Sequence, residues 1–387
     1  MEKRALQLAS VASMIDQFNI PNIEILQSLG YKVDVVADFT NPGTITVERS
    51  ENLKKRLAEM NVTVFDIAIP RSLNPRAISS AYKQVKELLE KEEYNLLHCH
   101  SPIGGVIARQ AAKGLRRSGL KVIYTAHGFH FYDGAPIKNW LVFYPIEKHY
   151  SRYTDVLITI NKEDYKRACE KFKAKKTVYV PGVGIDTEKF VPNQLGRKRI
   201  RSELNLPDDR ILLLSVGELN ENKNHISVVR AIADIPNLTY VIVGKGEKKN
   251  ELEQVAAKCG VDLRLPGFRT DVADFYNAAD IYILPSKREG LNVSLMEAMA
   301  GGLPIACGDI RGNRDLIDGS GGFLFNPNDI KNIEECIIRI LEDSHGMSAH
   351  NICKIKSFSI KAVERKMEEI YSDKLVRISS DKVRSNI

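Results

Sequence analysis

The sequence lacks several features, and each absence removes a class of protein. No apolar run reaches the ~18 residues that a membrane-crossing helix requires, so a spanning segment is excluded. The opening stretch, MEKRALQLASVASMIDQF, begins with cations but has neither a sustained apolar core nor a cleavage site. It reads as a first strand running into a loop, not as a secretory signal. The cysteines Cys99, Cys169, Cys259, Cys307, Cys336 and Cys353 are scattered, and none forms a C-x-x-C pair. That spacing argues against a disulfide framework and a zinc ribbon and fits a reducing cytoplasm. There is no short-period repeat and no low-complexity tract. The basic stretches carry few interleaved aromatics, which argues against a nucleic-acid binder.

What is present describes a folded protein of two domains. The chain has 387 residues, too many for one ordinary core, with 43% hydrophobic and 27% charged residues. A formal charge of +7 invites an anionic partner, such as an acidic lipid or a phosphorylated substrate. Short β-branched apolar runs alternate with amphipathic helical patterns, the mark of parallel α/β layers. Strands are expected near 6–11, 32–37, 96–100, 122–125 and 156–160, with helices at 21–29, 77–92 and 103–117. Ile78, Tyr82, Val85, Leu88 and Leu89 fall at helical spacing and should face a sheet. The rhythm restarts with strands at 211–216, 239–243, 262–265 and 281–285 and helices at 225–233, 248–258, 272–277 and 292–300. The glycines and proline of 180–186 suit a hinge between the two sets. Ligands of such sheets bind at the strand C-termini, here expected to face a cleft between the domains.

The most informative block is PSKREGLNVSLMEAMAGGLPIA, starting at Pro285. A strand ends, a glycine-containing turn follows and a helix begins near Asn292. Exposed amides and the positive dipole end at such a start favour a phosphate. Glu289 lies in the turn and Glu297 in the helix, placed to accept hydrogen bonds from two sets of sugar hydroxyls. A surface acid and a helix-stabilising acid would have the same spacing, so the pair alone leaves both readings open.

The whole block resembles the E-x7-E signature of family 4 glycosyltransferases, which have the GT-B architecture of two facing Rossmann-like domains. The resemblance implies that Glu289 touches the donor sugar and Glu297 the nucleotide ribose, with the amides of Gly290, Leu291 and Asn292 meeting sugar and diphosphate. VGELNENKNH, from Val216, is similar to the family's donor loop. There Gly217 follows the strand, and Lys223 would stabilise the leaving diphosphate. A solvated loop lysine is the plainer reading of Lys223. Glu218 stands where the family usually has arginine. A carboxylate within ~4 Å of a phosphate is unfavourable by a few kcal/mol at an effective dielectric of ~20, so Glu218 is expected to pair with a cation or turn away.

LPGFRTDV, from Leu265, resembles the segment whose backbone reads the nucleotide base, nearest Gly267 and Phe268; core packing of Phe268 is the alternative. YTAHGFHF, from Tyr124, makes His127 the family's active-site histidine near the donor sugar, with His130 a second candidate. A loop histidine satisfied by hydrogen bonds would look the same. His98 and His100 share one strand face while Cys99 points away, so that trio is read as structural, not as a metal site.

The resemblance covers nearly the whole chain and is closest to transferases of bacterial capsule, exopolysaccharide and O-antigen clusters. It implies an acceptor-side domain over 1–190, a nucleotide-sugar domain over 191–357, a helix at 358–371 packing back on the first, and a polar tail over 372–387. The implied reaction is retaining hexosyl or N-acetylhexosaminyl transfer from a nucleotide diphosphate-sugar, usually UDP, with no cofactor and no catalytic metal. The sequence has no Asp-x-Asp motif. The implied acceptor is a hydroxyl of a polyprenyl-diphosphate-linked glycan. The basic stretches 113–117 and 166–176 would rest a cytoplasmic protein on the anionic inner membrane face, or be solvated helix faces. The loop from Ser13 replaces the family's glycines. A nucleotide-sugar epimerase or hydrolase, or a non-catalytic nucleotide-sugar binder, are the rival readings.

Overall fold

The computed structural model describes residues 2–373, so the expected polar tail lies outside the described residues beyond Asp373. Two compact units divide the chain. One takes the chain up to Ile160, Asp164–Val180 and the stretch from Val363 onward; the other takes Asn161–Glu163 and Pro181–Ala362.

The first unit holds strands β1 (Lys3–Leu8), β2 (Tyr31–Ala37), β3 (Thr63–Asp66), β4 (Leu96–His100), β5 (Lys121–Ala126), β6 (Val156–Thr159) and β7 (Lys176–Tyr179). They form one parallel sheet in the order β3-β2-β1-β4-β5-β6-β7. The second unit holds β8 (Ile211–Val216), β9 (Leu238–Val243), β10 (Asp262–Gly267), β11 (Ile281–Leu284), β12 (Ile305–Gly308) and β13 (Gly322–Phe325), parallel in the order β10-β9-β8-β11-β12-β13. Helices cover both faces of such sheets, which explains why central strands such as LTYVIV are apolar and buried along their whole length. In each sheet the order reverses beside the first strand, between β1 and β4 and between β8 and β11. Those switch points are where a parallel sheet opens a crevice at its carboxyl edge.

The helix Pro75–Glu92 starts on an Asn74 cap that accepts from Arg76 N and Ala77 N. It buries Val85, Leu88 and Leu89 as its spacing requires, with Ile78 and Tyr82 partly buried beside them. The first strand lies at Lys3–Leu8, ahead of the expected 6–11, because Val11 already caps the helix Ala12–Phe18. The helix expected over 103–117 is Pro102–Ala112 followed by a separate 3-10 turn, Leu115–Ser118, after Gly114. In the second unit, the stretch after Pro181 is pinned by backbone bonds of Ile185 to Phe358 O and from Ile360 N, each 3.0 Å. Gly184, at φ +80°, is needed there, since a Cβ would lie 2.7 Å from Ile360 Cα.

Candidate active site

In the second unit, the loops leaving the two switch-point strands are stitched together. Asn224 Nδ2 donates to Pro285 O (3.2 Å), Lys287 N to Asn222 O (2.8 Å) and Asn222 Nδ2 to Arg288 O (3.0 Å). Gly217 N, directly after β8, donates to Val243 O at 3.0 Å. These bonds bring Lys223 to Glu289: Nζ lies 2.7 Å from Oε1, and both side chains are largely covered. Lys223 N is in turn held by Asn220 Oδ1 at 3.0 Å. Arg311 Nε donates to the main-chain oxygen of Glu289 at 3.2 Å.

The helix Val293–Ala300 begins four residues after Glu289. Asn292 caps it, its Oδ1 accepting from Leu295 N (3.0 Å) and Ser294 Oγ (2.7 Å). Ser294 Oγ lies 2.7 Å from Tyr282 OH and also touches Val216 O, fastening the helix start to both β8 and β11. The backbone amides of Gly290, Leu291 and Asn292 find no acceptor among the described residues. Three open N–H groups at a helix start, beside a lysine, make a site for an anion. One turn further on, Glu297 Oε2 accepts from Tyr276 OH at 2.7 Å. Burial pushes the Glu297 carboxyl above its ordinary range, with the Tyr276 bond opposing that shift.

Glu218 is exposed and accepts from Asn220 Nδ2 at 2.8 Å; it makes no ion pair among the described residues. Of the two outcomes expected for it, pairing with a cation is not the one found. Gly267 closes β10, and Phe268 follows with 69% of its surface exposed, so the core-packing alternative for Phe268 is overturned. Neither residue is in the ion-pair cluster.

In the first unit, His127 follows β5 and sits at the end of a buried chain of polar side chains. Its Nε2 lies 3.2 Å from His100 Nδ1, and His100 Nε2 lies 3.2 Å from Gln7 Oε1. Gln7 Nε2 donates to Tyr371 OH (3.2 Å), which lies 2.7 Å from His98 Nδ1; His98 Nε2 lies 2.8 Å from Thr125 Oγ1. Burial lowers the imidazoles of His98 to about 3 and His127 to about 4, and holds His100 well below its ordinary value. All three are neutral at pH 7. The loop carrying His127 is anchored where Phe129 N donates to the buried Asp164 at 2.9 Å. His130 instead stacks on Phe143, centroids 4.5 Å apart. Cys99 turns to Ile123 O, away from the two histidines. Among the described residues no group of three or more His, Cys, Asp or Glu is placed to hold a metal.

The structure brings Lys223 against Glu289 and sets Asn292 as the helix cap, and it adds neighbours that the sequence did not single out. Tyr276 meets Glu297 from another helix, and Tyr371 meets His98 from the far end of the chain. Neither partnership leaves a local pattern. His98 and His100 were visible, but strand alternation alone could not show what lay opposite them.

Comparison with known proteins shows the family. Residues 196–374 match the family model "Glycosyl transferases group 1" and residues 23–189 match "Glycosyltransferase Family 4". The chain is 37% identical over 339 residues to "Putative glycosyltransferase EpsD" of Bacillus subtilis, covering 85% of each. It is 28% identical over 389 residues to the "UDP-Gal:alpha-D-GlcNAc-diphosphoundecaprenol alpha-1,3-galactosyltransferase" of Escherichia coli, covering 96% of each. Among solved structures it resembles Anabaena Alr3699/HepE in complex with UDP and glucose, with a TM-score of 0.75 and 17% identity over 96% of this chain and all of that one. At that identity the likeness shows the fold, two parallel α/β units of GT-B type.

Proposed function

Because the chain belongs to the group 1 and family 4 glycosyltransferases, we propose that it moves a hexose or N-acetylhexosamine, with retention, from a UDP-sugar to a hydroxyl of a polyprenyl-diphosphate-linked glycan. The observation that carries this reading is the Lys223–Glu289 pair standing over three unpartnered amides at a helix start. A diphosphate placed there would take the Lys223 ammonium and those amides, releasing Glu289 to accept from sugar hydroxyls. The Glu297 carboxyl would hold the ribose. As the bond from the anomeric carbon to the phosphate oxygen breaks, charge grows on that oxygen, and Lys223 meets it. The acceptor oxygen bonds the same carbon on the same face, and its proton passes to the departing phosphate. Every atom is then accounted for in nucleoside diphosphate and lengthened glycan, with no metal in the scheme.

UDP as carrier and an undecaprenol-linked acceptor are supported by what the Escherichia coli relative's name states of that protein. A resting place on an anionic leaflet is supported by the helix Ile137–Tyr150, whose Ile137 and Leu141 are 77% and 72% exposed beside exposed Lys138 and Lys148. The stretches 113–117 and 166–176 support it less, since Arg116 pairs with Asp155 and Arg167 with Asp133.

The test is to incubate the protein with UDP-, GDP- and ADP-sugars and lipid-linked acceptors, following nucleotide release and lipid mass together. Release of UDP with one hexose or N-acetylhexosamine added to the lipid is the expected result. Nucleotide release without a heavier lipid would replace it with the hydrolase or epimerase reading.

A further inference from the structure

Two residues after Lys223, the helix His225–Ala231 begins, and it packs into an apolar layer with Leu213, Tyr240 and Ile283. Three buried polar groups meet there: Ser215 on β8, Tyr240 on β9 and His225 at the helix start. His225 Nδ1 lies 3.0 Å from Tyr240 OH, which lies 2.8 Å from Ser215 Oγ, which lies 2.6 Å from the main-chain oxygen of Ile283 on β11. A carbonyl only accepts, so the single proton of Ser215 goes to Ile283 O. Ser215 Oγ must then accept from Tyr240 OH, and the Tyr240 oxygen, its own proton in use, accepts from His225 Nδ1–H. Three contacts need three protons; the two hydroxyls hold two, and the imidazole supplies the third. Turning any one bond round leaves two acceptors facing each other with no proton between them.

The ring atom facing Tyr240 is a nitrogen, since even a C–H···O contact keeps its heavy atoms about 3.3–3.6 Å apart. Burial holds the His225 imidazole down to about 3, with Lys223 adding to the shift and the main chain of Glu218 opposing it. The ring is therefore neutral at pH 7 and has one N–H to place. His225 Nε2 is buried and makes no hydrogen bond among the described residues. A proton moved there to meet the main chain of Glu218 would gain one poorly formed contact and break a chain of three good ones.

We propose that His225 is the positioning residue of Lys223: held in its Nδ1–H tautomer by Tyr240, Ser215 and the Ile283 carbonyl, it ties the lysine's loop to β8, β9 and β11 and so sets where the ammonium stands. Only Asn224 separates the two, and its Nδ2 donates to Pro285 O at 3.2 Å and Pro327 O at 2.7 Å. The Lys223 side chain runs past Gly217, where a Cβ would lie 3.2 Å from its Cε, and ends 2.7 Å from Glu289 Oε1. A loop freed from the strands would let that ammonium wander from the place where leaving-group charge develops, which lowers kcat more than it weakens donor binding. All of these groups belong to the second unit. The inference rests on the reading that Lys223 meets the diphosphate, whereas the tautomer can be read with no nucleotide present.

The experiment is two-bond 1H–15N correlation at pH 7.5 on protein labelled at its 8 histidines, with His225 assigned by the loss of its signal in His225→Leu. An Nδ1–H pattern for His225 is expected, and an Nε2–H pattern overturns the proposal. Tyr240→Phe removes the acceptor of that proton and should move it to Nε2. In UDP release from a UDP-sugar with lipid-linked acceptor, Tyr240→Phe and His225→Leu should each lower kcat ~10-fold with donor KM within ~2-fold, the worth of about one hydrogen bond. His225→Asn, which keeps an N–H donor where Nδ1 stood, should stay within ~3-fold of wild type. Wild-type kcat in both Tyr240→Phe and His225→Leu, with Lys223→Ala slow, would remove His225 from the role. If Lys223→Ala is itself as fast as wild type, the reading of Lys223 is what fails, not the chain that fixes the ring.

Discussion

Lys223 and Glu289 neutralise one another at 2.7 Å, so neither is an isolated buried charge before a ligand arrives. In the proposed reaction a diphosphate competes for the lysine and leaves the glutamate for sugar hydroxyls. Lys223→Ala and Glu289→Ala are each expected to lower kcat by ~10²–10³, the usual worth of one transition-state electrostatic contact. The double variant should cost scarcely more than either single, because each already disarms the pair. Steady-state turnover of all three checks this, and near-wild-type rates in both single variants would refute it. A second prediction concerns Tyr276. Its hydroxyl opposes the upward push of burial on the Glu297 carboxyl, so Tyr276→Phe should raise that carboxyl further. A protonated Glu297 accepts less well, so KM for the nucleotide-sugar should climb as pH falls, starting at higher pH in Tyr276→Phe than in the wild type. Glu289 and Lys223 were legible because their surroundings form contiguous blocks of sequence. Tyr276 was not, because its partner lies on a different helix and a lone tyrosine carries no spacing signal.

At the scale of elements, the short helix Val293–Ala300 and its turn depend on a backbone contact from elsewhere. Gly312, at φ +80°, packs on the turn so tightly that a Cβ would lie 2.1 Å from Gly290 O. Gly312→Ala must push that turn away, and a donor KM raised ~10-fold or more is expected, together with a loss of stability on the order of 1–3 kcal/mol. A donor titration and a urea midpoint measure both; a variant matching the wild type in each would show that the turn yields freely. The helix Ile137–Tyr150 raises a different question, since its exposed side is apolar. Replacing both Ile137 and Leu141 with aspartate should reduce co-sedimentation with anionic liposomes ~10-fold, by removing apolar area and adding like charge. Unchanged sedimentation would dismiss this helix as a lipid contact. Long periodic elements such as Pro75–Glu92 could be read directly from the sequence. Of the four-residue strands, β6 and β11 each carry two apolar β-branched residues and were expected, whereas β3, β7, β12 and β13 carry at most one and were not. The helix at 137–150 was hidden by Pro145 inside it and by apolar residues on the side that faces water.

At the scale of the molecule, its buried histidines make stability depend on pH. His98, His100 and His127 in the first unit and His225 in the second are all held below the ordinary imidazole value by burial, His225 to about 3. The unfolded chain takes up protons near pH 6.5 and the folded chain does not until far lower, so stability is full above that point and falls as pH drops through it. Each such histidine contributes a slope of about 1.4 kcal/mol per pH unit until its folded imidazole is itself protonated. Depressed carboxylates such as Asp155, near 2, act only below ~pH 4, so the window above belongs to the histidines. With three of them against one, the first unit should weaken more steeply. Urea unfolding at pH 7.5 and 5.5, followed by hydrogen exchange in each unit, tests this, and equal losses in the two units would contradict it. The division into two α/β units was readable because strand and helix patterns run out and restart. The return of the last helix to the first unit came only from resemblance, since no local pattern says which sheet a terminal helix will join.

The bond from Gln7 to Tyr371 spans 364 positions of sequence. A chain made at ~5–20 residues per second needs roughly 20–70 s to pass from one to the other. During that interval β1 and β4 can pair, but the Gln7 carboxamide and the His98 ring lack the hydroxyl partner they share in the folded chain. The ribosome thus completes the sheet well before it supplies the last member of the polar chain. A nascent or prematurely stopped chain can pair these strands and still leave Gln7 and His98 buried without the hydroxyl that meets them both.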